Sequence, residues 1–191
     1  MNLNAAHLHI MLNHFPIVGV MVGAGLLTLW LIWKKEGLAL AALWTFVGSG
    51  LAAIPVYLLG HEAEDVVEGI PGVTRAAIGR HEDAALWVLI GLLLLGALSA
   101  WILWKRRGLA LARGPLLLVW VLSLVVSGVT AWASELGGEI RHPEIRPGWE
   151  RPAAGGEGEG QGAESTIRPL RALQLADIAS PAADEWSSRP S

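Results

Sequence analysis

Ala84-Ala85-Leu86-Trp87-Val88-Leu89-Ile90-Gly91-Leu92-Leu93-Leu94-Leu95-Gly96-Ala97-Leu98-Ser99-Ala100-Trp101-Ile102-Leu103-Trp104 carries no charge until Lys105-Arg106-Arg107 closes it. A helix crossing a hydrocarbon core about 30 Å thick needs roughly 20 apolar residues, and this stretch supplies them. A membrane β-strand would alternate apolar with polar residues, which Leu92-Leu93-Leu94-Leu95 does not. Three further stretches read the same way. The predicted spans are about 10–33, 38–60, 84–104 and 115–136, an all-α four-helix transmembrane bundle.

Composition agrees. Of the 191 residues, 53% are hydrophobic and 16% charged, with mean hydropathy +0.47. A soluble domain carries about 25% charged residues. The net charge of −3 gives no footprint for nucleic acid. No cysteine is present, which excludes disulfides, thiolate metal sites, iron–sulfur clusters and covalently attached haem. The start, Met1-Asn2-Leu3-Asn4, has no basic region, so no cleaved signal peptide is expected and the first helix is retained.

The basic residues orient the chain. Lys34 and Lys35 lie between spans one and two; Lys105, Arg106, Arg107 and Arg113 lie between spans three and four. The 62–83 link carries Glu62, Glu64, Asp65, Glu68, Glu82 and Asp83 against Arg75 and Arg80. The positive-inside rule then predicts a multi-pass protein of the bacterial inner membrane with both termini periplasmic. Trp30, Trp33, Trp101 and Trp104 fall where an interfacial aromatic belt belongs.

The stretch Trp30-Leu31-Ile32-Trp33-Lys34-Lys35-Glu36-Gly37-Leu38-Ala39-Leu40-Ala41 aligns with Trp101-Ile102-Leu103-Trp104-Lys105-Arg106-Arg107-Gly108-Leu109-Ala110-Leu111-Ala112. Two readings stand: parallel helix-hairpin repeats about an axis along the membrane normal, or convergence at two equivalent helix ends. The transmembrane domain is assigned to 1–149. Residues 150–191, with Gly155-Gly156-Glu157-Gly158-Glu159-Gly160, read as a low-complexity periplasmic tail, with 168–180 as a short docking segment or part of the linker.

All six histidines, His7, His9, His14, His61, His81 and His142, fall toward the periplasmic side. At 1.5 Å per residue His14 stands about 24 Å above Trp30, His61 about 26 Å above Trp44 and His81 about 30 Å above Trp101. Three helices thus bring imidazoles to one level. On helix one, Asn4, His7, Met11, His14 and Val18 form a stripe expected to face the bundle. Helix two groups Tyr57, His61, Glu64, Asp65 and Glu68, while Ser123, Ser127, Thr130 and Ser134 permit close packing of helix four. Pro16 and Pro55 free the carbonyls of Leu12 and Leu51, which an imidazole N–H or water would satisfy.

Three chemistries fit matched histidines. Haem b takes two axial imidazoles from separate helices, with His14, His61 and His81 leading and His7 and His142 in reserve. Zinc, copper or iron fits His14, His61 and His81 with Glu62 and Glu82, since His61-Glu62 and His81-Glu82 pair imidazole with carboxylate. The third reading has interfacial histidines with no cofactor. No second histidine completes an H-E-x-x-H helix at His61, and no Walker motif, nucleophile elbow or dinucleotide fingerprint occurs, so no catalytic residue is assigned. The acidic 62–83 loop suits cations or a basic periplasmic cytochrome, or is a solvated linker.

Three segments carry a resemblance: His7-Leu8-His9-Ile10-Met11-Leu12-Asn13-His14-Phe15-Pro16-Ile17-Val18-Gly19, Arg80-His81-Glu82-Asp83-Ala84-Ala85 and Gly137-Gly138-Glu139-Ile140-Arg141-His142-Pro143-Glu144-Ile145. Together they resemble an uncharacterised bacterial family of four-helix membrane proteins with a His-Phe-Pro motif. The likeness covers about the first three quarters of the chain and implies the topology and the grouping of these motifs. It implies no established activity. The expected function is a membrane subunit that binds haem b or another metal and transfers electrons to a respiratory partner, rather than a stand-alone enzyme. The alternative is a structural subunit anchoring a periplasmic complex.

Overall fold

Backbone hydrogen bonding fixes more helix than the apolar spans require. In the computed structural model, which describes residues 4–106 and 111–150, the chain runs through α1 (Ala5–Leu12), α2 (His14–Trp33), α3 (Glu36–Val67), α4 (Arg75–Arg106) and α5 (Arg113–Arg141), then a 3-10 turn, Pro143–Ile145. The chain divides into Met1–Trp149 and Glu150–Ser191. The reading of 151–191 as a low-complexity tail with a docking segment lies outside the described residues.

Four helical stretches, Ala5–Trp33, Glu36–Val67, Arg75–Arg106 and Arg113–Arg141, are long and apolar enough to cross a membrane. Each exceeds its sequence-predicted span. At 32 residues, α3 and α4 are about 48 Å long, well beyond a 30 Å hydrocarbon core. Hydropathy marks where lipid is needed, whereas a helix continues as long as its own N–H and C=O groups pair. The surplus lies mostly at the end that carries the histidines.

The first crossing is irregular at one residue. Pro16 has no N–H for the Leu12 carbonyl, and Asn13, which keeps a right-handed helical backbone (φ −61°, ψ −25°), separates α1 from α2. The Asn4 side chain caps α1 by accepting from the His7 N–H at 2.9 Å. At the other end Lys34 takes a left-handed conformation (φ 53°) and stops α2.

The helices run up and down in sequence order: α2 packs on α3, α3 on α4, α4 on α5, and α5 closes against α2, with α1 lying on α3. Val20, Leu27, Leu43, Phe46, Leu92, Leu95, Leu116 and Val119 fill the interior. Lipid is as apolar as these side chains, so association rests on close fit rather than on water exclusion. A Cβ on Gly50 would meet the Leu92 carbonyl at 2.9 Å, and one on Gly96 would meet the Phe46 carbonyl at 3.2 Å; α3 and α4 therefore touch backbone to backbone. Ser123 and Thr130 are buried in α5, as the small-polar stripe predicts, with hydroxyls returned to the Trp120 and Val126 carbonyls at 2.7 Å. The indole of Trp120 donates to the Thr28 hydroxyl at 3.0 Å and links α5 to α2. Trp44, Trp87, Leu51, Leu94 and Leu118 point outward, as a lipid-facing surface requires.

The two hairpins share details at the basic end. Lys34 sits over Trp30 at 5.1 Å and Lys105 over Trp101 at 5.6 Å, the same four-residue step in each half. Arg106 pairs with Glu36 at 3.3 Å across the halves.

Candidate functional site: the histidine end

The histidine end is built from the surplus helix. Three imidazoles there face backbone carbonyls through Nδ1: His9 to Val56 at 3.0 Å, His14 to Ile10 at 2.9 Å and His81 to Ala133 at 3.0 Å. A carbonyl only accepts, so Nδ1 is the donor in each ring, and a neutral ring so held has its lone pair on Nε2. The accepting carbonyls are those of Val56, Ile10 and Ala133, not the Leu12 and Leu51 carbonyls that the prolines free.

His9 and His81 are placed alike. His9 leaves the first crossing for α3, where a Cβ on Gly60 would lie 2.9 Å from its Cε1. His81 leaves α4 for α5, where a Cβ on Gly137 would lie 3.0 Å from its Cε1. In both, the glycine follows the accepting residue by one helical turn, and its missing side chain opens the carbonyl to the ring. Both rings are half-buried.

The stripe on the first crossing turns out differently. Asn4, His7, Met11, His14 and Val18 are all exposed, with Met11 at 55% and Val18 at 52%. The stripe faces away from the bundle, and the inward ring is His9. The spacing holds across Asn13, whose backbone stays right-handed helical, so the whole stripe shares one face, and that face is the outward one. His14, expected to be the deepest inward ligand, turns back instead to the Ile10 carbonyl of α1, one turn earlier in the same crossing.

His61, Glu64 and Glu82 form the other cluster, joining α3 to α4 with one ligand atom from each within 4.8 Å of the others. His61 donates to the Glu82 carboxylate at 3.4 Å. Glu82 of α4 and Glu64 of α3 are the carboxylates of this group, and Glu62 is not among them. Adjacent residues on a helix point about 100° apart; residues three apart share a face. The arginines of the 62–83 segment are engaged elsewhere, Arg75 with Glu68 and Arg80 with Glu139 at 3.3 Å.

The second half of the end is a polar clasp. Glu139 is 7% exposed and lies under Arg80. Arg146 donates to the carbonyls of Glu139 at 2.8 Å, Ile140 at 3.3 Å and Gly72 at 3.1 Å, which caps α5 and draws the chain back over the α3–α4 turn. The helix runs through Gly137-Gly138, on which His81 and Ile145 pack, and ends at Arg141, before Pro143. His142 stays exposed and pairs with Glu144 at 2.8 Å. The Glu144 carboxyl is held below its ordinary range, first by its own backbone N–H and then by His142. His7 is exposed.

Two apolar grooves open on the sides of the bundle. One of about 510 Å³ lies along Phe15, Gly19, Ser49 and Pro55, the other, of about 300 Å³, along Trp87, Gly91, Val126 and Trp132. Neither is lined by a histidine.

Comparison of the chain with protein-family models, curated proteins and solved structures finds no match.

Proposed function

We propose that the protein is a subunit of the bacterial cytoplasmic membrane that holds a metal at its periplasmic, histidine-bearing end and passes electrons to a partner. One observation carries this reading: His61, Glu64 and Glu82 converge from two helices with ligand atoms within 4.8 Å. One imidazole and two carboxylates suit iron or zinc and leave coordination positions open. Iron is the proposed occupant, because it supplies one-electron exchange and zinc does not. The orientation rests on the lysines, all of which lie in the two short basic links. The acidic α3–α4 turn then faces the periplasm and suits a basic partner such as a cytochrome.

The test is metal analysis of the full chain purified from membranes, beside Glu64→Gln and Glu82→Gln. The expected result is about one equivalent of iron, lost in both variants. Zinc in its place would leave metal binding without electron transfer. Absence of metal in every preparation that preserves native membrane complexes would leave the structural-anchor reading. Haem b is the second reading, favoured by imidazoles that are held through Nδ1, so that the neutral ring has its lone pair on Nε2. Without cysteine such haem is non-covalent, so acid acetone extracts it.

A further inference from the structure

The basic end carries cations that the fold itself does not use. Among the described residues Glu36 is the one carboxylate there, and Arg106 takes it at 3.3 Å. Lys34, Lys35, Lys105 and Arg113 are exposed and meet no carboxylate among those residues. The histidine end differs: Arg75 is engaged by Glu68, Arg80 by Glu139 and Arg146 by three carbonyls.

Helix stability accounts for only part of this placement. Lys105 lies at the carboxyl end of α4, where free carbonyls favour a cation. Lys35 and Arg113 stand at the amino ends of α3 and α5, where free N–H groups disfavour one, and no side chain caps either end. Lys34 holds a left-handed backbone (φ 53°) that glycine or asparagine would adopt with less strain. An anion over this end would offset what Lys34, Lys35 and Arg113 take from the helices. The level is that of lipid phosphate. Trp33, Trp101 and Trp104 are exposed beside these cations, and indoles on a membrane helix mark the boundary of acyl chains and headgroups. Lys34 and Lys105 lie back over Trp30 and Trp101, at 5.1 and 5.6 Å, which holds both ammonium groups near that boundary.

We propose that the basic end is a binding surface for anionic phospholipid, with Lys34, Lys35, Lys105 and Arg113 donating to its phosphates. The surface is independent of the metal reading and holds for whichever leaflet this end meets. Charge sets the preference, because phosphatidylcholine offsets its phosphate with its own ammonium and phosphatidylglycerol does not.

Spin-labelled lipids read that preference directly. The full chain is placed in phosphatidylcholine vesicles with a trace of spin-labelled phosphatidylglycerol or spin-labelled phosphatidylcholine. Paramagnetic resonance then measures the share of each held against the protein. Phosphatidylglycerol should be favoured about threefold or more at low salt, and near parity at about 1 M salt, where the Debye length is about 3 Å. Combining Lys34→Gln, Lys35→Gln, Lys105→Gln and Arg113→Gln should abolish the preference while circular dichroism still reports the helices. The milder pair Lys35→Gln with Arg113→Gln should lower it about twofold. Arg75→Gln with Arg141→Gln, at the other end, should keep it. A parent without preference, a preference that survives both sets of basic-end substitutions, or its loss in the Arg75 and Arg141 pair would overturn the proposal. Inorganic phosphate should displace no more phosphatidylglycerol than chloride does at equal ionic strength; stronger displacement would assign the end to a soluble phosphate instead.

Discussion

The guanidinium of Arg80 on α4 reaches the buried carboxylate of Glu139 on α5 at 3.3 Å. Removing the arginine strands a buried charge, while Glu139→Gln removes that charge together with its need. The Arg80 side chain is 61% exposed, so solvent screens part of the pair. We expect Arg80→Ala to destabilise by about 1–2 kcal/mol, Glu139→Gln by less, and the double variant by less than the sum. Thermal unfolding in detergent, run as a double-mutant cycle, measures the difference.

Gly60 and Gly137 have no room for a methyl group beneath their imidazoles. Gly60→Ala and Gly137→Ala should each push the ring from its carbonyl and destabilise by about 1–3 kcal/mol. Gly25→Ala, with no atom near its added Cβ, should be neutral or slightly stabilising. Imidazole ¹⁵N shifts of His9 and His81 should lose the fixed-tautomer signature only in the variant beneath each ring.

The lowered Glu144 carboxyl gives a pH prediction with a definite sign. Its favourable contribution is fully present above the ordinary carboxylate range and is lost as pH falls through the lowered value. His142→Ala should raise the Glu144 titration toward normal without fully restoring it, because the backbone N–H remains. Carboxyl ¹³C titration of Glu144 follows this. A full return to normal would assign the whole effect to His142.

Reporter fusions test orientation. Fusions after Lys35 and Arg107 should read cytoplasmic, and one near Gly72 should read periplasmic. A cytoplasmic signal at Gly72 would invert the molecule and move the histidine end inside.

The spans were legible because twenty uncharged residues have few alternatives in water or lipid. The helix ends were not. Glu64 and Arg75 look like loop to a hydropathy window, yet belong to α3 and α4 because backbone pairing ignores side-chain polarity. Of the site, the gathering of histidines and the place of Glu82 could be read from the chain. The inward turn of His9 could not: spacing groups residues on a face without saying which face meets the bundle. The i, i+3 spacing of His61 and Glu64 was available as a signal, and adjacency in sequence favoured Glu62 instead.

The alternation of the crossings has an electrical consequence. Each helix carries about half a positive charge at its amino end and half a negative charge at its carboxyl end. Two crossings point one way and two the other, so these dipoles nearly cancel along the membrane normal. A transmembrane voltage, worth about 2.3 kcal/mol per charge per 100 mV, therefore finds little in the backbone to turn. Polarising the membrane should leave the bundle still. Only a charge moved between its two ends would do work against the field.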